Sequence, residues 1–158
     1  MILAMRYVLA AVVLLSLIEP TIAAGRIPYG SRAGMEVTVT GVEGIGTSRA
    51  VIHVRHTREN AKEFCTEYEQ NNSDECVQQT LREVRINDDL RGNCQTGKFT
   101  TLYGDQLRFA GPNRRKDDGP KFVIIGASGP LDASTASGYY TALSQFNALC
   151  PGRAGTDP

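Results

Sequence analysis

The chain has 158 residues, 41% of them hydrophobic and 22% charged, with 17 Lys plus Arg against 17 Asp plus Glu. That size and composition suit one globular domain with a real core. The zero formal net charge argues against a dedicated nucleic-acid binder, which needs a basic excess to displace counterions; the lack of Trp excludes a sugar site built on a Trp platform.

In chain order, residues 1–24 read as a secretory signal peptide. Arg6 supplies a positive start, Tyr7 to Ile18 is an apolar run, and Glu19-Pro20 breaks it. The run is too short to cross a bilayer of ~30 Å as a helix. Ala23 and Ala24 offer small residues for cleavage. The mature chain is therefore expected to be periplasmic or secreted, with no membrane insertion after cleavage.

Residues 25–34, rich in Gly, Arg, Pro and Ser, are expected to be a flexible lead-in. A single α+β domain is expected over 35–151, and a frayed tail over 152–158. Met35 to Val42 alternates apolar and polar residues, as a strand does. Gly41, Gly44 and Gly46 mark a loop, and Arg49 to Arg55 is a second β-rich run suited to a hairpin with the first.

Thr57 suits a helix cap, and Ala61, Phe64, Cys65 and Tyr68 follow at helical spacing. Asn71-Asn72-Ser73 stops that helix, and Ser73 caps a second one with Val77, Leu81 and Val84 as its stripe. Residues 58–86 thus form an αα-hairpin. Next, Lys98 to Tyr103 alternates as a strand, Gly104-Asp105 suits the centre of a type II′ turn, and Gln106 to Ala110 returns. Residues 111–120 read as a solvated polar loop, in which Asp117 and Asp118 offset Arg114, Arg115 and Lys116. Lys121 to Gly126 is a continuous apolar run, expected as a buried strand. After a loop of small residues, Tyr139 to Leu149 reads as a helix with Tyr139, Leu143 and Phe146 inward, ended by Pro151. The expected fold class is α+β: a disulfide-stapled helical hairpin, a small antiparallel β-sheet and a C-terminal helix.

Cys65, Cys76, Cys94 and Cys150 are the only cysteines. An even count in an exported chain points to two disulfides, and none of the spacings is the short pair a zinc site wants. Three pairings exist. Cys65 lies late in the first helix and Cys76 early in the second, so they face each other in an antiparallel hairpin. That favours Cys65–Cys76 and leaves Cys94–Cys150.

Asn93 to Phe99, Gly104-Asp105 and Phe109-Ala110-Gly111, with Ala136 to Tyr139, Phe146 and Leu149 to Pro151, resemble a group of small exported proteins of alphaproteobacteria, many of them rhizobial. Cys65, Tyr68, Cys76 and Leu81 fit that group as well. The resemblance covers roughly residues 50–151. It implies a Gram-negative periplasm and carries no catalytic residues.

Candidate chemistry is sparse. His53 and His56 are the only histidines. They lie three apart, pointing to opposite faces of one strand, so polar surface is expected rather than metal. Ser128 follows a buried strand, but Pro130 stands where a nucleophile elbow needs Gly; a triad would need His53 or His56 and an acid such as Asp132. Asp88-Asp89 and Asp117-Asp118 are expected as solvated turns rather than a glycosidase pair. No catalytic residue, metal or cofactor is assigned. The remaining candidate is an interaction surface of Tyr103, Arg108, Arg115 and Tyr140, since exposed Tyr with Arg suits a contact with an envelope protein or a glycan. The expected function is a periplasmic or secreted binding or accessory protein, possible roles including an inhibitor. The alternatives are a small hydrolase using Ser128 or a carboxylate, and a structural or stress-related envelope factor.

Overall fold

A computed structural model describes residues 25–115 and 119–155. The expected signal peptide, the residues Lys116, Asp117 and Asp118, and the last three positions of the tail lie outside these. The fold is α+β, with both disulfides paired as expected: Cys65–Cys76 at a Cα separation of 6.1 Å and Cys94–Cys150 at 5.4 Å. Among the described residues no helix is long and apolar enough to cross a membrane.

The sheet is larger than expected. Its eight strands are β1 (Arg26–Pro28), β2 (Glu36–Glu43), β3 (Ala50–Arg55), β4 (Asp89–Asn93), β5 (Lys98–Thr100), β6 (Gln106–Pro112), β7 (Phe122–Gly126) and β8 (Gly129–Pro130). They lie in sequence order, and every neighbouring pair is antiparallel. Among the described residues three α-helices accompany the sheet: α1 (Arg58–Glu67) and α2 (Asp74–Glu83) between β3 and β4, and α3 (Tyr139–Leu149) after β8.

Helices α1 and α2 form where their caps lie. The Thr57 side chain accepts from the Asn60 backbone N–H while the Asn60 side chain accepts from the Thr57 N–H, a reciprocal cap. Ser73 caps α2 through the Cys76 N–H. Both satisfy donors that a helix start leaves unpaired.

Helix α3 lies on the inner face of the sheet and touches β1, β3, β4 and β7. Its Phe146 stacks on Phe109 at 4.5 Å and meets Phe99 at 5.3 Å. Gly92 on β4 faces it; a Cβ there would come within 2.9 Å of a Leu149 methyl, so the helix approach requires glycine. The α1–α2 hairpin sits on the opposite face. Thr38, which alternates with fully buried Val37 on β2, donates to Asn60 of α1 at 3.1 Å. Arg26 of β1 pairs with Glu63 there.

Several expectations need correction. The lead-in is ordered: β1 pairs with β2, and Tyr29 after it is 1% exposed. Asp89 is not in a turn but opens β4, which is legible only through the single inward Leu90. Tyr103 is not in a strand, because β5 ends at Thr100. The connection Thr101–Asp105 is no two-residue turn: Leu102 drops fully into the core, and the Gly104 N–H donates to the Thr101 carbonyl. In β7 only Phe122 and Ile124 are buried, while Val123 and Ile125 are half-buried on the outer face. The start of the tail is not frayed either, because Ala154 bridges to Pro151 and is buried.

Candidate functional site

The two ends of the meander border one cleft of about 680 Å³. One wall is the β1–β2 connection, with Tyr29, Arg32 and Met35; the other is the stretch from Ser128 to Gly138 that leads into α3. Gln145 of α3 helps line the floor, and both ends of its buried amide are committed: Nε2 donates to the Pro28 carbonyl at 2.8 Å, and Oε1 accepts from the Leu102 N–H at 3.1 Å. This clip fixes the first wall to the β5–β6 connection, from which Tyr103 and Asp105 border the cleft.

Tyr29 is the unusual member. Its ring meets His56 edge-on at 5.3 Å and Tyr103 at 6.2 Å. Its hydroxyl is buried with no hydrogen-bond partner. Burial, then the neighbouring Tyr103, pushes its pKa up to about 12, so the group stays a neutral donor. Leaving a buried hydroxyl unpaired costs about 1–3 kcal/mol. Behind it, His56 Nε2 is also buried and unpartnered, and burial lowers the His56 pKa. The expectation of polar surface therefore fails for His56.

His53 does face outward, yet it is engaged. Its Nδ1 lies 2.6 Å from Asp89 Oδ1 and its Nε2 3.1 Å from Glu43 Oε1. Those bonds, to Glu43 and then to Asp89, raise the His53 pKa. The bond from His53, then the contact with Arg91, lowers that of Asp89. Ser128 lines the cleft, but neither histidine nor Asp132 does; Asp132 instead accepts from the Ser134 N–H. Among the described residues no group of three or more His, Cys, Asp or Glu is placed to hold a metal.

The four residues expected to share an interaction surface are spread apart. Tyr103, 52% exposed, borders the cleft. Arg108 lines a separate groove on the outer face of the sheet. Tyr140 is exposed and edge-packed on Tyr139, and Arg115 follows β6 with its N–H on Asn113 Oδ1; neither borders the cleft or that groove. Sequence reasoning missed Tyr29 and Gln145. The signal for Tyr29 was the Ile27/Tyr29 alternation in a segment dominated by Gly, Arg and Pro. Compared with protein-family models, curated proteins and solved structures, the chain matches none.

Proposed function

We propose that this chain is a non-catalytic binding protein of the periplasm or extracellular space that holds a small polar ligand in the cleft between the ends of its sheet. The observation that carries the reading is the cleft wall at Tyr29, a residue whose hydroxyl is buried and unpartnered. A ligand acceptor that the Tyr29 hydroxyl turns to meet recovers the hydrogen bond that the folded chain forgoes. The volume falls within the ~300–1,000 Å³ of small-molecule sites. Two disulfides suit an oxidising compartment, as does the signal-like N-terminus. Export is checked by intact mass: periplasmic protein should begin at Ala24 or Gly25.

The test of binding is a thermal-shift screen of small molecules from an envelope extract, using oxidised mature protein. Compounds that raise the unfolding temperature of the wild type should fail with Thr141→Trp, which fills the cleft, and lose part of their effect with Tyr29→Phe. Equal shifts in all three proteins would remove the cleft as the site. Esterase, protease and glycosidase activity should not exceed that of Ser128→Ala; turnover lost in that variant would favour a hydrolase instead.

A further inference from the structure

The outer face of the sheet carries a second concavity, and we propose that it binds an acidic polysaccharide, its carboxylates held by Arg49, Lys98 and Arg108. The groove encloses about 1260 Å³, above the ~300–1,000 Å³ range of small-molecule sites and suited to a chain. It meets the cleft along a shared wall that includes Gln106 and Leu107, but the proposal does not depend on what the cleft holds.

The charge arrangement is the main observation. Lys98 and Arg108 are direct cross-strand partners on β5 and β6, and both are exposed. Like charges placed directly opposite destabilise a sheet. Arg91 lies diagonally beside Lys98, since it pairs with Thr100, and it is held by Asp89. Arg49, Lys98 and Arg108 have no acidic partner among the described residues. The one acid lining the groove, Glu43, bonds to His53. A polyanion laid across the strands supplies the charge that the sheet lacks, and Arg suits it because its planar fork matches a carboxylate.

The residues beside the cations suit a sugar over other anions. Ser48, Thr100 and Gln106 line the groove, and their side chains make no hydrogen bond among the described residues. They are free to meet hydroxyls. The one aromatic residue in the lining, Phe99, is 4% exposed and turned toward Phe146. A protein interface is enriched in aromatic side chains and Met, and single-stranded nucleic acid needs rings to stack on. The groove offers neither.

The experiment is binding of oxidised mature protein to polygalacturonate, with dextran, poly-glutamate and single-stranded DNA alongside. Polygalacturonate should bind, dextran should not, and added NaCl should weaken the binding by screening. The K98E/R108E double variant should lose about tenfold or more in affinity, while Arg82→Glu, a single reversal on α2, leaves it unchanged. Unfolding temperatures check the fold, and K98Q/R108Q replaces the reversal if that protein does not fold. Absence of wild-type binding, an equal loss from Arg82→Glu, or poly-glutamate or DNA bound as tightly as polygalacturonate would each overturn the proposal. Thr141→Trp should leave polygalacturonate binding intact, so failure at the groove and failure at the cleft are read separately.

Discussion

The large core around α3 and the small one between α1 and α2 are each closed by a disulfide, and the bond does different work in each. The main core holds twenty buried residues among those described, Cys94 and Cys150 included. The hairpin's core holds three, Ala61, Cys65 and Val77, with Phe64, Cys76 and Leu81 partly buried against them. In the first, the bridge adds to the packing of many other buried side chains. In the second, half of the Cys65–Cys76 bridge is itself the core. A covalent link can thus supplement packing or stand in for it, and which one applies follows from how much apolar surface lies around the sulfurs.

The largest expected effect breaks the main core at its centre. Phe146→Ala should cost about 3–5 kcal/mol, read by denaturant unfolding, because it empties the space between Phe99 and Phe109. Next come the bridges. By loop length, removing Cys94–Cys150 costs about 4 kcal/mol and removing Cys65–Cys76 about 3. The sharper contrast is spatial. With Cys65 and Cys76 both changed to Ala, hydrogen exchange should rise across α1 and α2 while the sheet amides stay protected. With Cys94 and Cys150 changed, protection should fall throughout. Uniform loss in both variants would show that the two cores unfold as one. A smaller effect, about 1 kcal/mol, is expected for Thr57→Ala, which removes the cap of α1 and should likewise act on the hairpin first.

Acid sharpens the comparison last, with direction only. The native state holds His56 neutral with a lowered pKa, so its contribution is present above pH 6.5 and is lost as pH falls through the folded value. His53 has the opposite sign: its pKa is raised by Glu43 and Asp89, so its contribution is full below 6.5 and disappears as pH rises through the folded value. From pH 7 to 5, His53→Gln should lose more unfolding temperature than the wild type, and His56→Phe less. Parallel curves for all three proteins would refute the assignment.

What the sequence made legible was what is local. Both helix caps, the stripe of α3 and the pairing of Cys65 with Cys76 each depend on residues a turn or a short loop apart. The strands β1, β4 and β8 escaped because each is short and carries at most one or two inward side chains; Leu90 between charged neighbours is no pattern by itself. The cleft escaped for a different reason. Its walls, around Tyr29 and around Ser128 to Gly138, lie about a hundred residues apart in the chain and meet only because the sheet wraps α3. The cationic groove was half legible: Arg108 was singled out, but its opposition to Lys98 is a matter of register, which a turn of unforeseen length decided.

The position of α3 after all the strands bears on the order of assembly. Strands β1 to β7 can pair with their neighbours as they are made, but their inner faces stay wet until Tyr139 to Leu149 arrives. The thiols follow the same clock. Cys65 and Cys76, eleven residues apart, can oxidise before the rest of the chain has folded, whereas Cys94 must wait for Cys150, 56 residues later. Once the early pair has closed, the late thiols have only each other, and the three possible connectivities have become one.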